Sequence, residues 1–195
     1  MRGTTIGLAV LLAASALPPN ARAETRTLPV GAVGTMVNAA GETRYLFKVS
    51  GLDRMGLVQI RRATLTLPYT LAATAEREVN LRLMPLTTDW SGSVVSWTGG
   101  WSRAGGDYDE ELYSRARADL RNGSGLLTFD LTVPAKEMAE DGTSLYGFLI
   151  TVDETEGEGI RSSDLSLVQG LASASVEVAY RTTLTGPMGS ARWGR

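Results

Sequence analysis

Apolar and polar residues alternate in short runs along most of the chain, and this pattern dominates the sequence. A period of two places successive side chains on opposite faces of an extended strand. Tyr45, Phe47 and Val49 share one face of 45–49. Ala63, Leu65 and Leu67 oppose Arg62, Thr64 and Thr66, and Val79, Leu81 and Leu83 alternate with Asn80 and Arg82. Leu127, Phe129, Leu131 and Val133 are set against Thr128, Asp130 and Thr132. Tyr146, Phe148, Ile150 and Val152 form a fifth run, and Val176, Val178 and Tyr180 around Glu177 a sixth. Gly-, Ser-, Asp- and Asn-rich turns separate these runs, which predicts an all-β, antiparallel β-sandwich with polar outer faces. Weaker strands are expected near 27–33, 93–97 and 160–163.

Two stretches break the alternation. DYDEELYSRARADLR (107–121) is rich in helix formers and offers a Glu111–Arg115 pair at i,i+4. PAKEMAED (134–141) opens on a proline suited to a first helical turn. Each predicts a short helical excursion between strands. No internal repeat and no second domain is evident.

The chain begins with a different pattern. Arg2 precedes the apolar run Ile6–Leu17, which Pro18 and Pro19 end, and Ala21-Arg22-Ala23 has the small-x-small form of a cleavage site. The run falls short of the about 18 apolar residues that a membrane span needs. Residues 1–23 are therefore expected to be a secretory signal peptide, with Glu24 as the mature N-terminus and a secreted, extracellular or periplasmic product. A single β-sandwich domain is expected over 24–185. The tail 186–195, which contains Trp193, lacks periodicity and is expected to be mobile.

Composition narrows the chemistry. The chain has no histidine and no cysteine. That removes the commonest general base, the thiolate and imidazole metal ligands, and a lipidated N-terminus. Loss of Arg2 and Arg22 with the leader moves the net charge from −2 to −4, which points away from nucleic acid and anionic lipid as partners. Only Lys48 and Lys136 are lysines; all other basic residues are arginine. A glycosidase would need two opposed carboxylates. Asp89, Asp107, Asp109, Glu110 and Asp130 are available, but no spacing singles out a pair, and no catalytic residue is expected. The acidic clusters 107–111 and 153–158 offer oxygen ligands without EF-hand spacing. Asp107, Asp109 and Glu110 are the candidates for a structural calcium; otherwise no cofactor is expected.

Three of the four tryptophans fall in DWSGSVVSWTGGW (89–101). Trp90 and Trp97 flank a short apolar run and read as core. Trp101, on a glycine-rich loop, reads either as a stacking platform for a sugar ring, with Arg103, Asp107 and Tyr108 supplying hydrogen bonds, or as a lid over the end of a sandwich.

The order RYLFKVSGL, IRRATLTLPYT, DWSGSVVSW, LLTFDLTVP, LYGFLITVDE and IRSSDLSLVQGLASASVEVAYRT resembles the disaggregatase-related (DNRLRE) domain over roughly 44–182. Trp90 and Trp97 keep that family's seven-residue spacing. Phe129-Asp130-Leu131-Thr132, Tyr146-Gly147-Phe148 and Ser163-Asp164 match its later motifs. The departures are Gly92 for a glutamate, Thr98-Gly99 for an asparagine pair, Trp101 for a proline, and an opening strand shortened or absent over 24–43. The resemblance implies a secreted jelly roll similar to carbohydrate-binding modules, with Trp90, Trp97, Phe129, Asp130, Tyr146 and Phe148 in structural roles. It implies binding of a polysaccharide or cell-surface glycan without catalysis. The alternative is a structural subunit of an extracellular matrix, surface layer or filament, in contact with itself or other extracellular proteins.

Overall fold

The computed structural model describes residues 23–55, 58–71, 78–140, 145–153 and 165–182. The leader up to residue 22, the strand expected at 160–163, the acidic residues 154–158 and the tail 186–195 lie outside the described residues. Eight strands follow in chain order: β1 (Ala23–Val37), β2 (Thr43–Val49), β3 (Val58–Thr70), β4 (Glu78–Pro85), β5 (Ser114–Asp119), β6 (Ser124–Asp130), β7 (Phe148–Val152) and β8 (Ser175–Thr182). Helix α1 (Thr132–Glu140) lies between β6 and β7, and α2 (Val168–Ser173) precedes β8.

Every strand pair is antiparallel, and β1 pairs with β8, β2 with β7, β3 with β6 and β4 with β5. Those four pairs are a long hairpin rolled up on itself, the strand order of a jelly roll. Pairing of β3 with β8 and of β4 with β7 completes two layers, β1-β8-β3-β6 and β2-β7-β4-β5. Strand β1 belongs to both. Its first half, Ala23–Pro29, lies on β8, and after a register shift between Val30 and Ala32 its second half lies on β2.

The long β1 corrects the expectation of a missing or shortened opening strand. Its apolar pattern is weak because the strand changes layer midway. Leu28 enters the main core, whereas Met36 is buried in a separate cluster. Residues 107–121 are also corrected: they hold edge strand β5 and then a 3-10 turn, Leu120–Asn122, rather than an α-helix. Ala116 and Ala118 turn inward while Arg115 and Arg117 turn out. The alternation is real but is carried by alanine, a helix former, on a strand where packing decides the state. Helix α1 occupies the place of the expected turn at 134–141. Residues 93–97 form no named strand, only a parallel bridge from Val94 to Thr35.

The main core fills the space between the layers with Phe47, Phe129, Phe148 and the aliphatic residues of every strand. Phe47 and Phe148 stack at 5.2 Å between centroids. Asp130 ends β6 by accepting from the backbone N–H of Thr132 at 2.8 Å and from its hydroxyl, which starts α1. Tyr146 departs from the structural role expected for it: it is 37% exposed. Gly147, at φ +120°, breaks the strand geometry just before β7, so the alternation running through Phe148 does not extend back to Tyr146.

Candidate functional site

The outward positions of the β2-β7-β4-β5 layer are apolar over one half. Leu46, Leu149 and Met84 lie in register across β2, β7 and β4, and with Met36, Leu86 and Trp90 they form a second buried cluster. The β4–β5 connection folds back over them, and Val95, Trp97, Trp101 and Tyr108 pack on top. The tryptophan cluster is thus the roof of a second small core on the outside of a sheet.

Each tryptophan is fixed differently. Trp90 is 6% exposed and fits against two glycines. A Cβ on Gly34 would lie 2.8 Å from its ring, and one on Gly147 3.3 Å from its Nε1. Trp97 packs under the Arg44 guanidinium, 4.8 Å from its ring centroid, and Arg44 also donates to the Gly105 carbonyl at 2.8 Å. The Trp101 indole donates to the Ser96 carbonyl at 2.8 Å, so its donor is already used and its ring rests on the second core.

The other residues expected around a ligand are brought together. Arg103, Asp107, Tyr108, Asp109 and Glu110 line one open depression with Thr87, Ser102 and Glu111, and Trp101 is not part of it. Within it most polar groups have internal partners. Buried Asp107 accepts from the backbone N–H and hydroxyl of Ser102, the backbone N–H of Arg103 and the hydroxyl of Thr88. The Ser102 N–H leads the groups that hold its carboxyl down at about 2, against the opposing effect of burial. Arg103 lies 3.9 Å over the Tyr108 ring and bonds Glu110 at 2.5 Å. Asp109 accepts from the backbone N–H of Glu111 at 2.9 Å. Among the described residues no group of three or more acidic side chains is placed to hold a metal ion.

Because the Asp107 pKa is depressed, its contribution to stability is full above the ordinary carboxylate range near pH 4 and is lost as pH falls towards 2. Asp107→Ala is expected to cost about 2 kcal/mol at pH 7. Its stability in urea should converge with that of the parent by about pH 2. A constant difference across that range would show that the carboxylate is not the cause.

A second concavity, of about 470 Å³, opens beside the end of β2. Its wall includes Gly31, Ser50, Gly51 and Gly147, and Lys48, Asp53, Arg54, Asp89 and Tyr146 bring side-chain chemistry to it. Lys48 organises one side: its ammonium bonds Asp89 at 2.6 Å and the Trp90 carbonyl at 2.8 Å, and lies 5.2 Å from the Trp90 ring centroid. Hydrogen bonds from Lys48 and from the Trp90 N–H hold the Asp89 carboxyl below its ordinary value. Sequence reasoning missed this cleft because its residues come from five separate segments. The one local signal was Lys48, a rare lysine at an outward position of β2.

No family model matches this chain, and none of the curated proteins matches it.

Proposed function

We propose that the protein is an exported, non-catalytic, carbohydrate-binding jelly roll, and that the Lys48–Asp89–Tyr146 cleft is its sugar site. The observation that carries this reading is a half-exposed aromatic ring beside fixed charged groups in a cleft of ligand size. An aromatic face suits the C–H face of a sugar, and a few oriented polar groups suit its hydroxyls. The order of motifs shared with the disaggregatase-related domain supports the same reading, and the leader-like N-terminus supports export.

Glycan-array binding of the purified protein tests the proposal. Tyr146→Ala is expected to weaken binding about tenfold or more, a loss of about 1.4 kcal/mol, and Trp101→Ala to leave it unchanged once folding is verified. Loss of binding in Trp101→Ala alone would move the site to the tryptophan loop. Absence of any glycan ligand, together with concentration-dependent assembly in light scattering, would replace the reading with that of a structural subunit.

A further inference from the structure

The half of the β2-β7-β4-β5 outer face that the tryptophan loop leaves uncovered carries arginines in register. Arg82 of β4 stands opposite Arg115 of β5, and Asn80 opposite Arg117. Leu81 and Leu83 point into the main core, so these neighbours point out. Tyr113 precedes β5 on the same face, 46% exposed, with the Arg82 and Arg115 guanidinium carbons 4.9 and 5.0 Å from its ring centroid.

We infer that this face is a binding surface for a polysaccharide bearing carboxylates, separate from the cleft. The acids on the face orient the arginines through one nitrogen each. Asp153, 4% exposed, accepts from Arg82 and from the Nε of Arg115, both at 2.7 Å. Arg115 itself is 51% exposed and meets Asp153 through its Nε. Arg117, 66% exposed, meets Glu78 through one terminal nitrogen, and Glu78 is shared with Arg121. Two forks two residues apart on one strand face stand about 7 Å from each other. Each can grip a carboxylate through paired N–H groups, a geometry lysine cannot supply. Tyr113 adds a ring for the apolar face of a sugar.

The inference extends the carbohydrate-binding reading to a second surface, and its test separates the two. The purified protein is titrated with polygalacturonate, with neutral dextran and with single-stranded DNA, at low and raised salt. Binding to polygalacturonate but not to dextran or DNA is expected, weakening steeply with salt. The Arg115→Ser/Arg117→Ser variant should lose at least tenfold, and Tyr146→Ala should be unchanged. Arg117→Glu, which leaves the Asp153 clamp intact, should show the same loss if the double variant folds poorly. Unchanged polygalacturonate binding in Arg117→Glu, or its loss in Tyr146→Ala, overturns the assignment to this face. Equal binding of DNA overturns the class of partner, and absence of polygalacturonate binding overturns both.

Discussion

Trp90→Ala is expected to lower the free energy of unfolding by about 3–5 kcal/mol, the cost of emptying a large aromatic site in a packed core. The ring is buried with Met36, Leu46, Met84, Leu86 and Leu149, and all of those neighbours but Leu86 sit on β-strands, whose pairing resists collapse into the space. The same ring anchors the β4–β5 connection, so the variant should also expose residues 91–106 to limited proteolysis while the sandwich persists. Trp90→Phe makes the argument sharper. The Trp90 Nε1 is buried without a hydrogen-bond partner among the described residues, so phenylalanine keeps most of the apolar area and removes an unsatisfied donor. It should recover most of the loss. A change of less than 1 kcal/mol for Trp90→Ala in urea denaturation, on the scale of an ordinary surface substitution, would show that the second core does not hold the loop.

Gly147→Ala is expected to be about as damaging, at about 3–5 kcal/mol, through backbone geometry and not through lost area. Gly147 has φ +120°, where a side chain is strained. A Cβ there would also lie 2.5 Å from the carbonyl oxygen of Phe47, a backbone atom of the neighbouring strand. Relief would require moving either β2 or the start of β7, and with it the Phe47–Phe148 stack. Thermal unfolding followed by circular dichroism checks the size of the effect. Retention of the parent's midpoint would mean that the chain leaves this conformation at little cost.

The layers of the sandwich were legible because most strands bury one face and expose the other, and Leu, Val, Ile and Phe mark the buried face plainly. The failures share a cause. β5 marks its buried face with Ala116 and Ala118, which carry little apolar signal and favour helix, and β1 changes the layer it serves at Val30. The tryptophans show a deeper limit. Trp90 and Trp97 can be assigned to a core from the sequence, but not to which core. Leu46, Met84 and Leu149 occupy outward positions that alternation alone would give to solvent. Only tertiary structure shows a loop covering them. The cleft was invisible for a related reason: Lys48, Asp53, Asp89 and Tyr146 acquire meaning only together, and its lining is scattered along the chain from Gly31 to Phe148.

The pairing of β1 with β8 also bears on how the molecule reaches its native state. Glu24 and Tyr180, joined by a hydrogen bond of 2.9 Å, are 156 positions apart. The pairs β2–β7 and β3–β6 likewise join distant parts of the chain. Contacts of such long sequence separation form slowly, on the scale of milliseconds to seconds for all-β sandwiches. The strand that fills the place between β1 and β3 is the last of the eight to be synthesised. Until it arrives, one layer is split, and the nascent chain has no complete sandwich to form. That topology acts as a timer: the complete sandwich cannot close until β8, its last strand, has been made.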